Sequence, residues 1–410
     1  MPDYLVPYIE PVISPLVKIG FLIFVLMTAA ANLVLLERWM AAWVQDRLGP
    51  NRVGPLGLLQ PLADGGKFIF KEEYTPSHVD KALFILAPTS ILIAALSTFA
   101  VIPFGSVLPP MEFLKIDKPE PLLTAPQVDV GVIYIFALSS IAVYGVILGA
   151  WSSNNKYSFL GGLRSSAQLI AYEIPLGLGL LGVALASGTL RLDHIIDIQA
   201  QSGVWNVVTQ PLGLVVFTTA AFAEAARLPF DLPEAEQELI GGYHTEYAGI
   251  KLLLFLIAEF LHMVAASFLI VILFFGGWHF WGMTEGDNIG WIEAIIRAVV
   301  LNAKVLLVIV FFMMVRWSWP RFRFDQLMSL AWKVMLPLGL VNLVAIACFT
   351  EYGPTWAAAL KLQPWVVALI VGWGVLLVGW LTTSLAAPLH DDNSPRANVR
   401  EFDVDGEGLG

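Results

Sequence analysis

Nine long apolar segments divide the chain of 410 residues, and they constrain its fold more than any other feature. A helix that crosses the hydrocarbon core of a bilayer needs roughly 20 apolar residues. A segment in lipid must satisfy its own backbone hydrogen bonds, and the alternating strands of about ten residues that build a membrane β-barrel are absent. The sequence therefore predicts an all-α polytopic membrane protein with about nine transmembrane helices. The segments lie near 16–36, 82–102, 130–150, 167–187, 211–226, 250–277, 295–315, 330–349 and 365–385.

Composition agrees with this class and limits the chemistry of the chain. The chain is 57% hydrophobic and 14% charged, whereas a soluble domain carries about 25% charged residues. A single cysteine, Cys348, excludes an internal disulfide and any cysteine-bound cluster or zinc site within the chain. A glycine-rich nucleotide-binding fingerprint in the expected context is also absent. We therefore expect this chain to bind no flavin, no iron–sulfur cluster, no metal and no nucleic acid.

The distribution of basic residues predicts the orientation. Lys and Arg concentrate in the cytoplasmic loops of membrane proteins. If the N-terminus is outside and the C-terminus is cytoplasmic, most of the 23 Lys and Arg residues fall in inner regions. The sequence therefore predicts a multi-pass protein with that orientation. The inner regions are 37–81, 151–166, 227–251, 316–333 and the tail 386–410.

The first inner loop combines helical periodicity with charged residues. Apolar residues from Trp39 to Val44 recur at helical spacing, which predicts an amphipathic helix at the membrane surface. The motif GPNRVGP then breaks the helix, and "LLQPLADGGKFIFKEE" mixes apolar groups with Asp64 and Lys67. Two interpretations remain open: an interfacial anchor followed by a turn, or the wall of a cavity that admits a long amphipathic ligand from the bilayer.

An acidic stretch, "AEAARLPFDLPEAEQELIGGYHTEY" (Ala223–Tyr247), lies between two apolar segments. Pro229 and Pro233 prevent an uninterrupted helix through it. Carboxylates this close together favour shared protons and coupled titration. A solvated acidic loop explains the charge alone, whereas a movable hinge of proton-sharing carboxylates also explains the interleaved apolar residues. Its six acids are Glu224, Asp231, Glu234, Glu236, Glu238 and Glu246.

Four charged residues fall within or at the edge of predicted spans: Glu173, Glu259, Arg297 and Lys304. A charge at the centre of a membrane helix costs about 2.5–3.5 kcal/mol on insertion scales. Such side chains should therefore point into the bundle rather than at lipid. Internal salt bridges that fix helix packing and a proton or ion relay are both consistent with this pattern.

Several long motifs resemble one family. The loop "ERWMAAWVQDRLGPNRVGPLGLLQPLADGGKFIFKEE" (37–73) is similar to the first cytoplasmic loop of the H-subunit family of respiratory complex I, the proton-pumping NADH–quinone oxidoreductase. The acidic stretch, "AQLIAYEIPLGL" (167–178), "LFFGGWH" (273–279) and "RWSWPRFRFDQLMSLAWKVMLPL" (316–338) agree in order and spacing. The mitochondrial counterpart is NADH dehydrogenase subunit 1. The similarity covers roughly residues 15–350.

The resemblance implies a domain organisation. Residues 1–350 correspond to an eight-helix family core, with the first loop at 37–81, an acidic coupling loop at 223–250 and a basic docking loop at 316–333. A further transmembrane helix at 351–385 and an acidic cytoplasmic tail at 386–410 lie beyond that core. These additions favour a bacterial member of the family, located in the plasma membrane.

The resemblance also implies roles for charged residues. Residues that line or border the quinone chamber are Arg38, Asp64, Lys67 and Arg227. Proton-coupling residues are Glu173, Glu224, Asp231, Glu234, Glu236, Glu238, Glu246 and Glu259. Residues that dock a soluble partner are Arg316, Arg321 and Arg323. No catalytic residue and no metal ligand is expected, because the chain is not catalytic alone.

The function implied is that of the membrane component that anchors the hydrophilic arm, forms the membrane part of the quinone chamber and couples quinone reduction to proton translocation. Quinone, either ubiquinone or menaquinone, is the expected substrate. Expected partners are iron–sulfur and quinone-site subunits of the hydrophilic arm, small membrane subunits, antiporter-like subunits and membrane lipid. Two alternatives remain: the related component of a membrane-bound hydrogenase or formate-hydrogen lyase, and a stand-alone ion-coupled transporter.

Overall fold

The protein is represented by a computed structural model that describes residues 14–109, 120–121, 128–231, 240–280 and 290–386. Helices account for nearly all of its regular structure. The first half contains α1 (Ser14–Val44), a 3-10 turn (Pro55–Gly57), α2 (Gln60–Phe70), α3 (Lys81–Thr98), α4 (Gly131–Ser152), α5 (Lys156–Ser187), α6 (Leu192–Ser202) and α7 (Asn206–Thr209). The second half contains α8 (Pro211–Glu224), a 3-10 turn (Gly242–His244), α9 (Gly249–Phe274), α10 (Trp291–Ser318), α11 (Phe324–Ser329), a π-helical segment (Leu330–Met335), α12 (Leu336–Leu360) and α13 (Pro364–Ala386).

Eight helical stretches of the described residues are long and apolar enough to cross a membrane, and α8 is a shorter apolar helix. These elements coincide with the nine segments expected from the sequence, which confirms an all-α polytopic membrane protein. Helices α11 and α12 join through the π-helical segment into one span, Phe324–Leu360. The only strands in the described part are β1 (Val107–Leu108) and β2 (Glu120–Pro121), which pair antiparallel.

Helix α9 lies at the centre of the bundle, and α13 lies at its edge. Within the most apolar window of α9, 78% of the residues are buried, whereas the figure for α13 is 17%. Around α9 pack α1, α3, α8 and α10. Aromatic side chains fill this core, including Phe84, Phe255 and Phe312, which are almost fully buried. The central helix therefore contacts both of the charged sites described below.

Local sequence determines where the helices begin and end. Asp80 caps α3 by accepting from the backbone N–H of Ala82 at 3.1 Å, and Asn155 caps α5 by accepting from Tyr157 at 3.0 Å. Helix α5 ends at Gly188, whose φ of 64° lies in the left-handed region that glycine adopts readily. The loops between the helices lie at the two ends of the bundle. Among the described residues, the acidic-loop end carries 45–80, 153–155, 225–231, 240–248 and 319–323, and the opposite end carries 188–210, 275–280 and 361–363.

The first loop differs in one respect from the sequence prediction. Residues Trp39–Val44 do not form a separate surface helix but continue α1, because no glycine or proline lies between Gly20 and Gly49. The amphipathic helix of this loop is α2 instead, and it has no buried residues. Helix α2 is therefore the element that matches the expected amphipathic helix.

Candidate functional site

Three of the glutamates expected to couple protons line one narrow cavity, called here the carboxylate cavity. Its volume is about 60 Å³, and Glu173, Glu224 and Glu259 line it together with Ser139, Tyr243 and His262. Helices α3, α4, α5, α8 and α9 contribute its walls. Residues that are distant in the sequence thus meet at the acidic-loop end of the bundle.

Helical spacing explains how each wall presents its polar group. On α5, Leu169 and Glu173 are four residues apart, so both face the cavity. On α9, Glu259 and His262 are three apart and share a face in the same way. Glu224 is the last residue of α8 and enters the cavity from the end of that helix.

Hydroxyl groups form hydrogen bonds with two of the three carboxylates. The Ser140 hydroxyl donates to Glu173, and the Tyr243 hydroxyl donates to Glu259 at 3.1 Å. Ser139 lines the cavity together with Glu224, and its hydroxyl donates to the Phe136 carbonyl at 3.0 Å. A hydroxyl can donate to an ionised carboxylate and accept from a protonated one. Each contact can therefore persist when the carboxyl group gains or loses a proton.

The cavity is large enough for water. A cavity needs roughly 10–15 Å³ to hold one water molecule, and the volume of the carboxylate cavity is about 60 Å³. Its polar lining supplies the hydrogen-bond partners that buried water requires. The arrangement is suited to a short chain of water molecules that connects the carboxyl groups.

A second site, called here the arginine cluster, lies at the same end. Its centre is Glu37 of α1, which is only 8% exposed. Arg227 Nη1 lies 3.2 Å from Glu37 Oε2, and Arg316 of α10 forms an ion pair with the other carboxylate oxygen. The Arg227 guanidinium also lies 4.2 Å from the ring centroid of Phe260, a cation–π contact. One buried carboxylate therefore holds two cations from different parts of the chain.

An adjoining cleft of about 320 Å³ is lined by Glu37, Arg38, Arg316 and Trp317, among others. Arg38 also bonds to Asp64 of α2, with Nη1 2.6 Å from Oδ2. Within the described part of the chain, two Arg227 nitrogens (Nε and Nη2) and Trp317 Nε1 are buried without a hydrogen-bond acceptor. Buried N–H groups are costly to leave unsatisfied. Of these two residues, Trp317 lines the cleft, whereas Arg227 contacts the lining residue Glu37.

The end of α8 connects the two sites. The Arg227 N–H bonds to the Phe222 carbonyl and the Ala226 N–H bonds to the Ala223 carbonyl, which together form a Schellman motif. Ala226 occupies the left-handed position of this motif with a φ of 49°, where glycine is more usual. Glu224 in the carboxylate cavity and Arg227 in the arginine cluster therefore belong to one turn.

The remaining acids of the acidic stretch have separate surroundings. Asp231 is buried, and Arg321 Nη2 lies 3.4 Å from its Oδ2. Glu246 accepts from Asn155 Nδ2 at 2.6 Å. Neither lines the carboxylate cavity. Glu234, Glu236 and Glu238 lie outside the described residues.

Tyr247 anchors the far end of the acidic stretch. Its ring stacks on Phe84 with centroids 4.0 Å apart, and its hydroxyl lies 3.2 Å from the Ser152 hydroxyl. Burial raises the pKa of Tyr247 to about 12, so this side chain is neutral at physiological pH. A neutral, stacked tyrosine fixes the position at which the stretch enters α9.

The expected docking residues differ in how they are engaged. Arg316 and Arg321 contact Glu37 and Asp231 within the chain, whereas the Arg323 side chain is exposed. Lys67 on α2 is also exposed. Docking by the three arginines stays a prediction.

Sequence reasoning missed Glu37 and Tyr243. Glu37 follows the apolar run of α1 directly, and a carboxylate in that position is as unusual as the four charges that the sequence did single out.

Lys304, which shares a helix with Arg297, serves packing: its Nζ donates to the carbonyls of Phe275, Gly277 and His279 at 2.7–3.0 Å.

Comparison with known proteins places the chain in a family. The family described as NADH dehydrogenase matches residues 17–347. The first of the NADH-quinone oxidoreductase H subunits of Cytophaga hutchinsonii is 46% identical over 317 residues, which are 75% of this chain and 88% of that protein. The H subunit of Leptospira biflexa serovar Patoc is 45% identical over 346 residues, or 82% of this chain and 94% of that protein.

A third relative, the first H subunit of Geobacter metallireducens, is 46% identical over 329 residues, or 80% of this chain and 94% of that protein. These matches extend over almost the whole length of the relatives, and they agree with the resemblance that the charged motifs carry. The chain therefore belongs to the NADH dehydrogenase family and is an H-type membrane subunit of NADH–quinone oxidoreductase.

Proposed function

We propose that the chain forms the membrane part of the quinone-binding chamber at the arginine cluster and couples quinone reduction to proton translocation through the carboxylate cavity. The observation that carries this proposal is the Schellman motif at the end of α8. It places Glu224 in one site and Arg227 in the other, three residues apart. A change of charge at one site therefore acts directly on the other.

The arginine cluster has the groups that a quinone head requires. A quinone carries two carbonyl acceptors. Trp317, whose N–H is unsatisfied, lines the cleft, and Arg227, which has two unsatisfied nitrogens, contacts the lining residue Glu37. Guanidinium groups also stabilise the negative charge that develops on a carbonyl oxygen during reduction. The names of the relatives specify quinone as the acceptor of electrons from NADH, and this chain contributes to that site with Arg38, Asp64 and Lys67 at its border.

The coupling step follows from the shared carboxylate. Negative charge on the reduced quinone competes with Glu37 for Arg227 and Arg316, because both guanidinium groups already contact Glu37. Movement of Arg227 carries the turn that contains Ala226, which also lines the carboxylate cavity. Protons then redistribute among Glu224, Glu173 and Glu259, which line the same cavity. This redistribution of protons then acts on partner antiporter-like subunits of the membrane arm.

Docking of the hydrophilic arm belongs to the exposed part of the basic loop. Arg323 offers an exposed planar guanidinium that suits a carboxylate of a soluble partner. Arg316 and Arg321 support that loop from below through Glu37 and Asp231. The acidic-loop end of the bundle faces the cytoplasm in this arrangement, as the distribution of Lys and Arg predicts.

Purification of the complex with iron–sulfur subunits and flavin separates this function from that of a hydrogenase component or a stand-alone transporter.

The test uses the acidic stretch in the assembled enzyme. The double variant Glu234→Gln/Glu238→Gln removes two titratable groups of the acidic stretch while it keeps the size of their side chains. We expect quinone reductase activity coupled to pumping to fall about ten-fold or more, as is usual when proton transfer is impaired. The matched control is Glu351→Gln, the same change at an exposed position of α12. Normal quinone reduction and normal pumping in the double variant would contradict the proposal.

A further inference from the structure

A second cavity lies between α5, α12 and α13, away from both charged sites. Its volume is about 240 Å³, and its walls include Phe349, Trp365, Ala368 and Val371. It is close to the opposite end of the bundle, because α12 ends and α13 begins there. The matched family region ends at residue 347, so the wall that α13 provides lies beyond that region.

Two amide side chains lie at the floor of this cavity. Gln210 and Asn342 line it and are only 5% and 3% exposed. Within the described part of the chain, Gln210 Oε1 lacks a donor and Asn342 Nδ2 lacks an acceptor. Both atoms lie about 3 Å from the place where a Cβ of Gly182 would be. The absence of a side chain at Gly182 thus lets an unsatisfied acceptor and an unsatisfied donor stand near each other.

This pair of amides indicates the kind of group that fits. A hydroxyl donates one hydrogen bond and accepts others, so a single hydroxyl satisfies Gln210 Oε1 and Asn342 Nδ2 together. Leaving such groups unsatisfied costs more than the net gain of a typical hydrogen bond. The floor of the cavity is therefore complementary to an alcohol, whereas an ether or a hydrocarbon leaves the acceptor on Gln210 without a donor.

The rest of the lining determines the charge and the shape of the ligand. None of the described residues that line the cavity is charged, so a phosphate or ammonium group inside it would have no counter-charge. The wall that α13 provides is apolar, and Trp365 at its start is 45% exposed. Four small polar side chains also line the cavity: Ser187, Ser202, Asn206 and Thr209. A cavity of about 150 Å³ is known to hold one benzene ring, so about 240 Å³ accommodates a head group and part of a hydrocarbon chain.

From these features we infer that the cavity beside α13 binds a neutral, hydroxyl-bearing lipid from the bilayer, with the hydroxyl between Gln210 and Asn342. The hydrocarbon part lies against Phe349 and Ala368, and Trp365 stands at the rim. Since α13 supplies one wall, the site belongs to chains that carry this additional helix. It is separate from the arginine cluster and does not depend on the proposed quinone chemistry.

Photolabelling of the assembled complex in membranes tests this inference. The probe is a long-chain fatty alcohol that carries a diazirine, and labelled peptides are identified by mass spectrometry. We expect saturable labelling of peptides that contain Phe349 or Trp365. The methyl ether of the same probe should require an about ten-fold higher concentration, because it cannot donate to Gln210. This comparison needs no variant and is unaffected by folding.

Two variants locate the site. Asn342→Leu keeps the size of the side chain but removes the donor, and it should weaken labelling by the alcohol about ten-fold. Ala368→Phe fills the cavity and should abolish saturable labelling. Val344→Phe is the matched control, because Val344 lies on α12 and is 60% exposed. It should label as the wild type does.

Several outcomes would overturn the inference. Labelling that does not saturate shows that the cavity holds water alone. Equal labelling by the alcohol and its ether, or by the corresponding phosphate ester, shows that the hydroxyl is not recognised. Saturable labelling that persists in Ala368→Phe places the ligand elsewhere.

Discussion

The arginine cluster and the carboxylate cavity lie side by side, yet they treat buried carboxylates in opposite ways. In the cluster, Glu37 is held by the guanidinium groups of Arg227 and Arg316. In the cavity, the hydroxyls of Ser140 and Tyr243 contact Glu173 and Glu259. An ion pair with two guanidinium groups is disrupted when the carboxylate is protonated. A hydroxyl serves as partner to either protonation state.

In the proposed function, this difference separates two tasks. A carboxylate that contacts two guanidinium groups has partners suited to its charged form, so it is suited to sensing a new negative charge on a ligand. A carboxylate beside a hydroxyl keeps its position while its charge changes, so it is suited to carrying a proton. Substitutions in the arginine cluster should have the largest effect, followed by those of the cavity carboxylates, of a cavity hydroxyl and of an ion pair that belongs to neither site.

The largest effect is expected from Glu37→Gln. This change leaves Arg227 buried without its carboxylate, and loss of one partner of a buried ion pair costs about 3–5 kcal/mol. We expect little assembled complex, measured by native gel electrophoresis and by thermal denaturation of what remains. Glu351→Gln makes the same chemical change at an exposed site and should assemble normally. Wild-type stability of the Glu37 variant would show that the cluster does not hold the helices together.

A smaller effect on assembly but a large effect on activity is expected from Glu173→Gln and Glu259→Gln. Glutamine retains the size and hydrogen bonding of glutamate but cannot release or take up a proton. Assembly should stay normal, while quinone reduction and proton pumping should fall about ten-fold or more. Glu351→Gln, the same change at an exposed position of α12, provides the control and should leave both rates unchanged. Full pumping in both glutamine variants would separate the cavity from proton transfer.

Tyr243→Phe should have a moderate effect. It removes the hydroxyl that lies 3.1 Å from Glu259 and keeps the ring that packs edge-on against Phe255. A hydrogen bond of this kind contributes about 1 kcal/mol, so we expect a several-fold decrease in pumping rate with normal assembly. The informative readout is the pH dependence of pumping, which should shift, because a merely structural role would lower the rate equally at every pH.

The smallest effect is expected at the opposite end, where Arg191 Nη2 lies 2.7 Å from Asp193 Oδ2. Burial alone would raise the pKa of Asp193, but the hydrogen bond and charge of Arg191 lower it below its usual value. A lowered carboxyl pKa contributes stability above the unfolded value of about 4, and this contribution is lost as the pH falls through the folded value.

The variant Asp193→Asn should therefore cost at most about 1 kcal/mol near neutral pH. Its stability should approach that of the wild type in acid, as measured by thermal denaturation at several pH values. Pumping should be unchanged. A large loss of activity would show that ion pairs at both ends of the bundle take part in function.

Much of the fold could be predicted because a span is a local property. Length and apolarity identify a membrane helix from about 20 consecutive residues, and each of the nine segments became an apolar helix. Periodicity was less reliable at the end of α1. The stripe from Trp39 to Val44 has the spacing of a surface helix, but helical spacing alone cannot show whether a helix continues or restarts.

The candidate site could be predicted only in part, because it depends on which helices are neighbours. The unusual cost of a charge in a membrane marked Glu173 and Glu259, and the structure shows both of them in one cavity. No spacing rule relates Glu37 of α1 to Arg316 of α10, which are 279 residues apart. That pairing arises from packing around α9 and could not be read from the sequence.

The Schellman motif at the end of α8 has a mechanical consequence. Glu224 and Arg227 stand on either side of Ala226, whose left-handed backbone already departs from the conformation that alanine prefers. The turn that carries both side chains is therefore short and conformationally restricted. It transmits a displacement over three residues. Ala226→Gly would relax the backbone at this point and would also make the turn more flexible. A gain in local stability would therefore come with a weaker transmission of displacement between Arg227 and Glu224.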